Sequence, residues 1–274
     1  MAQITTLLEN RVSGKNLKCE HGLSFHIQTA SGAYLFDTGQ SGRFIDNALK
    51  LGIDLSQVDA VVLSHGHYDH AGGLLHFFEV NDQAKVYLHP QALKERFSSS
   101  AQMVKSNGIP WREEWQQFED RFVFVEVPME LEAGLHILPN IQSVPDFEVV
   151  NPRLVVKKNG IFEPDRFEDE LLLVLKEEKE PVVFCGCAHN GIVNILHHIQ
   201  QQLGMERFQL VLGGLHLAGQ QYEEIQRVLS GISKFEVEHW ALNHCTGDEA
   251  IRLFKETVFG QVSYADTGTC FVTR

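Results

Sequence analysis

The most constraining feature of the sequence is a short turn that contains four potential metal ligands within six residues. His65, His67, Asp69 and His70 directly follow residues 60–64, an apolar segment that we predict to be a buried strand. Imidazole and carboxylate groups together suit zinc, iron or manganese. Because ligands at these spacings on a tight turn can point to two adjacent centres, the turn predicts one or two divalent metal ions, with zinc as the first expectation.

Three further histidines occupy the same kind of position, directly after a predicted apolar strand: His189, His216 and His244. In layered α/β folds, functional sites gather at the carboxyl ends of strands. We therefore expect these histidines to join the turn at one edge of the fold. The other eight of the 14 histidines lack this context, and each is predicted to be an ordinary surface or core residue. Among them, His89, before a proline at a strand end, is the strongest candidate for an exception. These eight are His21, His26, His76, His89, His136, His197, His198 and His239.

Hydrophobic periodicity organises the chain as two blocks of similar style. In the first block, we predict strands at residues 4–8, 23–29, 33–36, 60–64 and 85–88, and helices at residues 44–51, 72–80 and 91–97. In the second block, we predict strands at residues 171–175, 182–185, 208–212, 239–242 and 261–264, and helices at residues 192–203, 222–231 and 249–256. This alternation predicts an α/β fold in which two sheets pack face to face with helices on the outside.

Residues 98–120 interrupt this rhythm with a polar segment that carries Trp111 and Trp115 on one helical face. Three interpretations stay open: an active-site lid, a contact of a homo-oligomer, or a surface excursion that packs its own tryptophan pair. The rest of the chain shows no repeat or linker. We therefore predict one domain over residues 1–274, with an insertion at about 98–120.

The charge balance limits the class of partner. The chain has 23 lysines and arginines against 36 aspartates and glutamates, a formal net charge of −13. Such a surface repels phosphate backbones at long range, which argues against a nucleic-acid partner. A metal-lined cleft can still bind a small anionic metabolite, because the metal is the largest local charge.

The sequence predicts a cytoplasmic protein with reduced thiols and no membrane partner. It has no run of 18 or more apolar residues, and Glu9 and Arg11 interrupt an N-terminal segment that lacks the apolar core of a signal peptide. The five cysteines are an odd number without framework spacing, which fits free thiols. Cys185 and Cys187 lie in an apolar run and are predicted to be small buried residues of a strand.

The pattern His65-x-His67-x-Asp69-His70 resembles the signature of the metallo-β-lactamase superfamily, and Asp37-Thr-Gly resembles that superfamily's first motif. The resemblance implies a four-layered αββα sandwich that holds one or two metal ions at its edge. His65, His67 and His189 would bind the first metal ion, and Asp69, His70 and His244 the second. Asp37 would orient a ligand histidine through its ring N–H.

Within the superfamily, three motifs resemble the family of 7,8-dihydropterin-6-ylmethyl-4-(β-D-ribofuranosyl)aminobenzene 5′-phosphate synthases. They are Asp169-Glu-Leu, Cys185-Gly-Cys-Ala-His189-Asn-Gly and Gly213-Gly-Leu-His216-Leu. The last motif departs from the superfamily pattern, because many members place a metal-bridging aspartate there. An imidazole does not bridge two ions as a carboxylate does, so we expect a less tightly held second ion.

The sequence thus favours a metal-dependent hydrolase or transferase that acts on a small phosphorylated or pterin-like metabolite. Asp69 and His216 are the candidate catalytic residues, and His216 is either a terminal ligand or a proton donor to the leaving group. Two alternatives are a di-iron redox enzyme, although no flavin-binding segment is evident, and a non-catalytic metal- or ligand-binding protein. Turnover on phosphoesters and pyrophosphates would separate the last alternative from an enzyme.

Overall fold

The apolar runs form two mixed sheets in the computed structural model, which describes residues 1–14, 16–100, 102–176 and 180–274. In sheet order, the first sheet contains β18 (Cys270–Val272), β1 (Gln3–Leu8), β2 (Ser24–Gln28), β3 (Ala33–Phe36), β4 (Ala60–Val62), β5 (Lys85–Leu88) and β8 (Phe122–Phe124). The second contains β17 (Gln261–Tyr264), β16 (Glu236–Leu242), β15 (Arg207–Gly213), β14 (Val182–Cys185), β13 (Leu172–Leu175), β10 (Leu135–Leu138) and β9 (Met129–Glu132). Both sheets are antiparallel at one end and parallel at the other, from β3 to β8 and from β14 to β17.

Helices cover the outer face of each sheet, because parallel strands need crossover connections. The α-helices of the described residues are α1 (Arg43–Lys50), α2 (Tyr68–Ala71), α3 (Leu74–Val80), α4 (Ile192–Leu203), α5 (Tyr222–Ile232) and α6 (Asp248–Thr257). Short 3-10 turns lie at Leu55–Gln57, Pro90–Leu93 and Trp115–Arg121. No helix in these ranges is both long and apolar enough to cross a membrane.

Three apolar clusters hold the layers together. Between the sheets, the ring of Phe184 lies 6.3 Å from that of Phe25 and 6.0 Å from that of Phe36, measured between centroids. Such aromatic pairs contribute about 0.5–1.5 kcal/mol each beyond the burial of their area. A second cluster packs α1 and α3 on the first sheet, and a third packs α4, α5 and α6 on the second sheet. The predicted αββα sandwich is confirmed.

A third sheet of four strands corrects the helix predicted at residues 91–97. It contains β12 (Ile161–Pro164), β11 (Leu154–Lys158), β6 (Arg96–Ser99) and β7 (Val104–Ser106). Only the 3-10 turn occupies the start of the predicted helix. The buried guanidinium of Arg96 donates to Asp165 at 2.8 Å and to Asp169 at 2.6 Å, partners that lie 69 and 73 residues later. These distant contacts and the pairing of β6 with β11 override a local helical pattern.

Trp111 belongs to the core, so the surface excursion with its own tryptophan pair is wrong for this residue. Its side chain is 2% exposed, and its indole N–H donates to the carbonyl oxygen of Ala71 at 2.6 Å. Trp115 is partly buried, and both tryptophans contact the ring of Phe122 rather than forming an isolated pair. Whether the remaining described part of 98–120 acts as a lid or an oligomer contact stays a prediction.

Candidate metal centre

The predicted ligands follow the parallel strands and lie at one edge of the sandwich. Asp37 follows β3, the four-ligand turn follows β4, and His189, His216 and His244 follow β14, β15 and β16. Three of these strand-end residues have left-handed backbones, with φ of 63° at Asp37, 52° at His216 and 51° at His244. Ala188, beside His189, has φ of 49°. Strained conformations of non-glycine residues cluster at functional sites, where the surrounding structure imposes them.

Gly213 permits the close approach of two of these strand ends. Its φ is 125°, and a Cβ atom there would lie 1.9 Å from the carbonyl oxygen of Cys185. Any other residue would therefore separate the ends of β14 and β15. The close contact brings the segments that carry His189 and His216 together, with 4.4 Å between their ring centroids.

The first ligand group consists of His65, His67 and His189. Their candidate ligand nitrogens all lie within 4.8 Å of one another, and His65 Nε2 is 3.0 Å from His67 Nδ1. His189 Nε2 is buried and has no hydrogen-bond partner among the described residues. Burial lowers the pKa of His67 to about 3, so its imidazole is neutral, as a metal ligand must be. Three neutral nitrogens, one of them without a partner, fit a divalent cation.

The second ligand group brings His70, His244 and Asp69 together. His70 Nε2 lies 3.1 Å from His244 Nε2, and Asp69 Oδ2 lies 3.4 Å from His244 Nε2 and 3.7 Å from His70 Nε2. Burial opposes the charged imidazolium of His70, but the carboxylates of Asp37 and Asp69 outweigh burial and raise its pKa to about 9. The surroundings therefore favour a positive charge at His70 Nε2, which fits a bound metal ion in place of a proton.

The Asp37 carboxylate is linked by hydrogen bonds to both ligand groups. Its Oδ1 accepts a hydrogen bond from the Ser64 backbone N–H at 2.7 Å, and its Oδ2 lies 2.7 Å from both Ser64 Oγ and His70 Nδ1. Ser64 Oγ in turn lies 2.9 Å from His65 Nδ1. Asp37 thus contacts a histidine of the second group directly and one of the first group through Ser64. That it orients metal ligands stays a prediction.

Separate carboxylates hold the histidines of the second half. Glu170 accepts from the backbone N–H groups of His189 at 2.7 Å and Asn190 at 2.8 Å. Glu9 accepts from the backbone N–H of His244 at 3.2 Å, and Asn10 Oδ1 lies 3.1 Å from His244 Nδ1. No sequence feature predicts a role at the site for Glu9 or Asn10, because nothing local connects Asn10 to a histidine 234 residues away.

His216 borders a cavity rather than completing either ligand group. Its ring lies beside that of His189, its Nε2 is 3.4 Å from Asn151 Nδ2, and its Nδ1 is buried without a partner among the described residues. The cavity measures about 400 Å³, and Asn151, Arg153 and His216 contribute to its lining. His216 also shares a possible ligand cluster with His189 and Cys187, so its geometry fits a ligand or a substrate contact.

Two further residues lie at the site although their sequence context predicted ordinary structural roles. His21 Nε2 lies 3.1 Å from Asp69 Oδ2, and its ring stacks at 5.0 Å on that of His244. Cys187 is buried as predicted, but it lies beyond the end of β14, with its Sγ 3.2 Å from His70 Nε2. Its position two residues before His189 was the signal that could have found it, whereas His21 has no such signal.

His89, the strongest exception among the remaining histidines, has a structural role in the described residues. Its Nδ1 accepts a hydrogen bond from the backbone N–H of Gln91 at 3.2 Å, which caps the 3-10 turn at Pro90–Leu93. The possible ligand clusters of the described residues do not include it. His89 thus has the kind of ordinary structural role that was predicted for the eight histidines outside the site.

The chain is similar to known proteins over most of its length. The family model of the metallo-beta-lactamase superfamily matches residues 17–195. The 7,8-dihydropterin-6-methyl-4-(beta-D-ribofuranosyl)-aminobenzene-5′-phosphate synthase of Methanocaldococcus jannaschii is 30% identical over 251 residues, which cover 86% of this chain and 84% of that protein.

Solved structures show the same architecture. Tm1679, described as a metal-dependent hydrolase of the beta-lactamase superfamily, matches with a TM-score of 0.86 and 32% identity, covering 100% of this chain and 99% of its own. YhfI from Bacillus subtilis, at 13% identity, shares the fold with a TM-score of 0.61, covering 99% of this chain and 100% of its own. Both resemblances expected from the sequence motifs are thereby confirmed. The chain belongs to the metallo-beta-lactamase superfamily.

Proposed function

We propose that this protein is a metal-dependent hydrolase or transferase that acts on a small phosphate-bearing or pterin-like metabolite. The observation that carries the proposal is the position of the three-histidine group, which lies beside the histidine that borders the 400 Å³ cavity. A cavity of this size accommodates a small metabolite. The name of the archaeal relative, which describes a phosphate ester with a pterin group, supports the same substrate class.

The two ligand groups would hold one or two divalent ions, for which zinc is the first candidate. His65, His67 and His189 would hold the first ion, and Asp69, His70 and His244 the second. When bound, such ions lower the pKa of water and polarise a phosphoryl or carbonyl oxygen. Asp69 keeps its carboxylate at the junction of His21, His70 and His244, where it can accept a hydrogen bond from the attacking water.

The cavity lining supports an anionic substrate. Arg153 provides a positive side chain, and α4 begins at the cavity without a side chain that caps its N-terminal N–H groups. Helix N-termini attract anions through these N–H groups and the helix dipole. His216, which also lines the cavity, would contact the substrate and donate a proton to its leaving group.

The remaining expectations on partners and location belong to the same proposal. The net charge of −13 argues against a nucleic-acid partner, and the five cysteines are free, which suits the reducing cytoplasm. A homo-oligomer is compatible with this function, and a membrane partner is not part of it.

Metal analysis combined with turnover tests the proposal. Freshly purified protein should contain one to two equivalents of zinc, iron or manganese, and a panel of phosphomonoesters, phosphodiesters, pyrophosphates and pterin phosphates should include a substrate. Chelation should abolish turnover and added metal should restore it. His189→Ala should remove turnover, whereas His197→Ala, on α4 and outside the ligand groups, should not. Absence of metal uptake, or turnover that survives chelation, would overturn the proposal.

A further inference from the structure

We propose that Cys187 is the fourth protein ligand of the second metal position, beside Asp69, His70 and His244. The inference rests on the metal centre of the proposed function but not on its substrate or reaction. Without Cys187, the second metal position has three protein ligands and one open position. With Cys187, it is a closed site of two nitrogens, one oxygen and one sulfur. Structural zinc sites have four protein ligands, whereas catalytic sites keep one position free.

The donor distances match the edges of a tetrahedral site. For metal–nitrogen bonds of about 2.0–2.1 Å and metal–sulfur bonds of about 2.3 Å, tetrahedral edges are about 3.3–3.4 Å between nitrogens and about 3.6 Å between nitrogen and sulfur. His70 Nε2 lies 3.1 Å from His244 Nε2 and 3.2 Å from Cys187 Sγ. Asp69 Oδ2 lies 3.4 and 3.7 Å from the two nitrogens. Four of the six donor–donor distances are therefore within about 0.4 Å of the edges of a tetrahedral site.

Cys187 differs from the neighbouring cysteine in what surrounds its sulfur. Cys185 is fully buried in the apolar cluster between the second sheet and α4 to α6, and no possible ligand cluster of the described residues includes it. Cys187 takes part in three such clusters, with His65 and His70, with His244 and Cys245, and with His189 and His216. A buried thiol without this environment would be inert packing. The contacts of Cys187 are those of a ligand.

Charge gives an independent reason for a sulfur ligand. His216, which follows β15, adds no carboxylate here, so Asp69 is the only negatively charged side chain among Asp69, His70 and His244. A thiolate at Cys187 adds a second negative charge. Together with the Asp69 carboxylate it neutralises a divalent ion in a site where His70, Asp69 and Cys187 are all buried. Thiolate ligation also favours zinc over manganese.

Cys245 is the competing sulfur ligand. It shares a possible cluster with Cys187 and His244, but its Sγ accepts a hydrogen bond from the backbone N–H of His216 at 3.2 Å. That contact directs the sulfur toward the segment of His216. We therefore assign the ligand role to Cys187 and treat Cys245 as the alternative that the experiment must separate.

Metal spectroscopy tests the assignment. The protein should be loaded with two equivalents of zinc for X-ray absorption, and with two of cobalt for near-ultraviolet absorption of cobalt–thiolate charge transfer. We expect one sulfur neighbour at about 2.3 Å and a charge-transfer band in the wild type and in Cys185→Ala. In Cys187→Ser, both signals should disappear and the second ion should bind more than about tenfold more weakly. Uptake of the first ion should stay unchanged, which also shows that the variant folds.

Each other outcome overturns the assignment. Loss of the sulfur signal in Cys245→Ser with retention in Cys187→Ser would transfer the role to Cys245. A wild type that binds two ions without a sulfur neighbour, or that binds only one, would exclude the closed site. The proposed function has its own readout: turnover without sulfur ligation would remove only this inference, and sulfur ligation without turnover on the substrate panel would remove only the proposed reaction.

Discussion

The two halves of the molecule contribute to the same site in different ways. The N-terminal half supplies His65, His67, Asp69 and His70 from one turn after β4, and Asp37 supports that turn from a single buried position. The C-terminal half supplies one histidine from each of three successive strand ends, and His189 and His244 have separate supports. In the N-terminal half, the candidate ligands form a local motif. In the C-terminal half, the order of the strands in the sheet brings them together.

This difference has a consequence for how the site responds to change. Removal of the shared support should disturb both ligand groups together, because Asp37 contacts His70 directly and His65 through Ser64. Removal of a support in the C-terminal half should disturb only the histidine that it holds. The variants below test this contrast, beginning with the largest expected effect.

Asp69→Asn should have the largest effect, because it removes the only carboxylate that the N-terminal turn contributes. The change keeps the shape of the side chain but removes the charge beside His21, His70 and His244. We expect turnover to fall by roughly 10³-fold while the fold persists. Steady-state kinetics with circular dichroism, and exposed Asp248→Asn as the control, provide the measurement. Near-normal turnover would show that the turn supplies only neutral ligands to the reaction.

His216→Ala should have the next largest effect and tests the histidine of the C-terminal half that borders the cavity. If His216 donates a proton or contacts substrate, turnover should fall by about 10²-fold or more while the metal content stays close to that of the wild type. Elemental analysis and kinetics on the same preparation give the comparison. Loss of metal and activity in strict proportion would make His216 an ordinary ligand.

His216→Asp extends this test to charge. A carboxylate at this strand end should tighten the second ion and weaken binding of an anionic ligand, because it adds a negative charge to the site. Competition with a chelator and binding of inorganic phosphate measure the two effects. An aspartate that changes neither would show that this strand end does not face the second ion.

The contrast between the halves also explains how much the sequence could predict. The turn was predictable because its ligands are adjacent and follow an apolar strand, and His189 and His244 because each follows such a strand. Cys187 was predicted to be an ordinary buried residue because it lies in an apolar run. His21 was predicted to be an ordinary surface or core residue because it does not follow a predicted strand. Glu9 contacts a histidine 235 residues away, and the partners of Arg96 lie on segments without periodic patterns. Only the folded chain brings these groups together.

Asp37→Asn should weaken both metal positions. An amide can still accept from the Ser64 backbone N–H, but its NH₂ group would face Ser64 Oγ and His70 Nδ1, where two donors now meet one carboxylate oxygen. Changes in groups that orient metal ligands typically cost 10- to 100-fold in affinity. We therefore expect both steps of a chelator titration to shift by about this amount. A shift confined to one step would show that the support is not shared.

Glu170→Gln and Asn10→Ser form the matched pair for the C-terminal half and should have the smallest effects. Glu170 holds the backbone before α4 that carries His189, and Asn10 contacts the ring of His244, so each variant should weaken one metal position only.

Because the ligand histidines remain in place, we expect losses of about tenfold, at the low end of the range for groups that orient ligands. Glu170→Gln should shift the step assigned to the first ion, and Asn10→Ser the step assigned to the second. In the double variant, each step should shift by the same free energy as in the corresponding single variant, since independent supports add. A larger combined loss, or a single variant that shifts both steps, would show that the strand ends of the C-terminal half are coupled as tightly as the N-terminal turn.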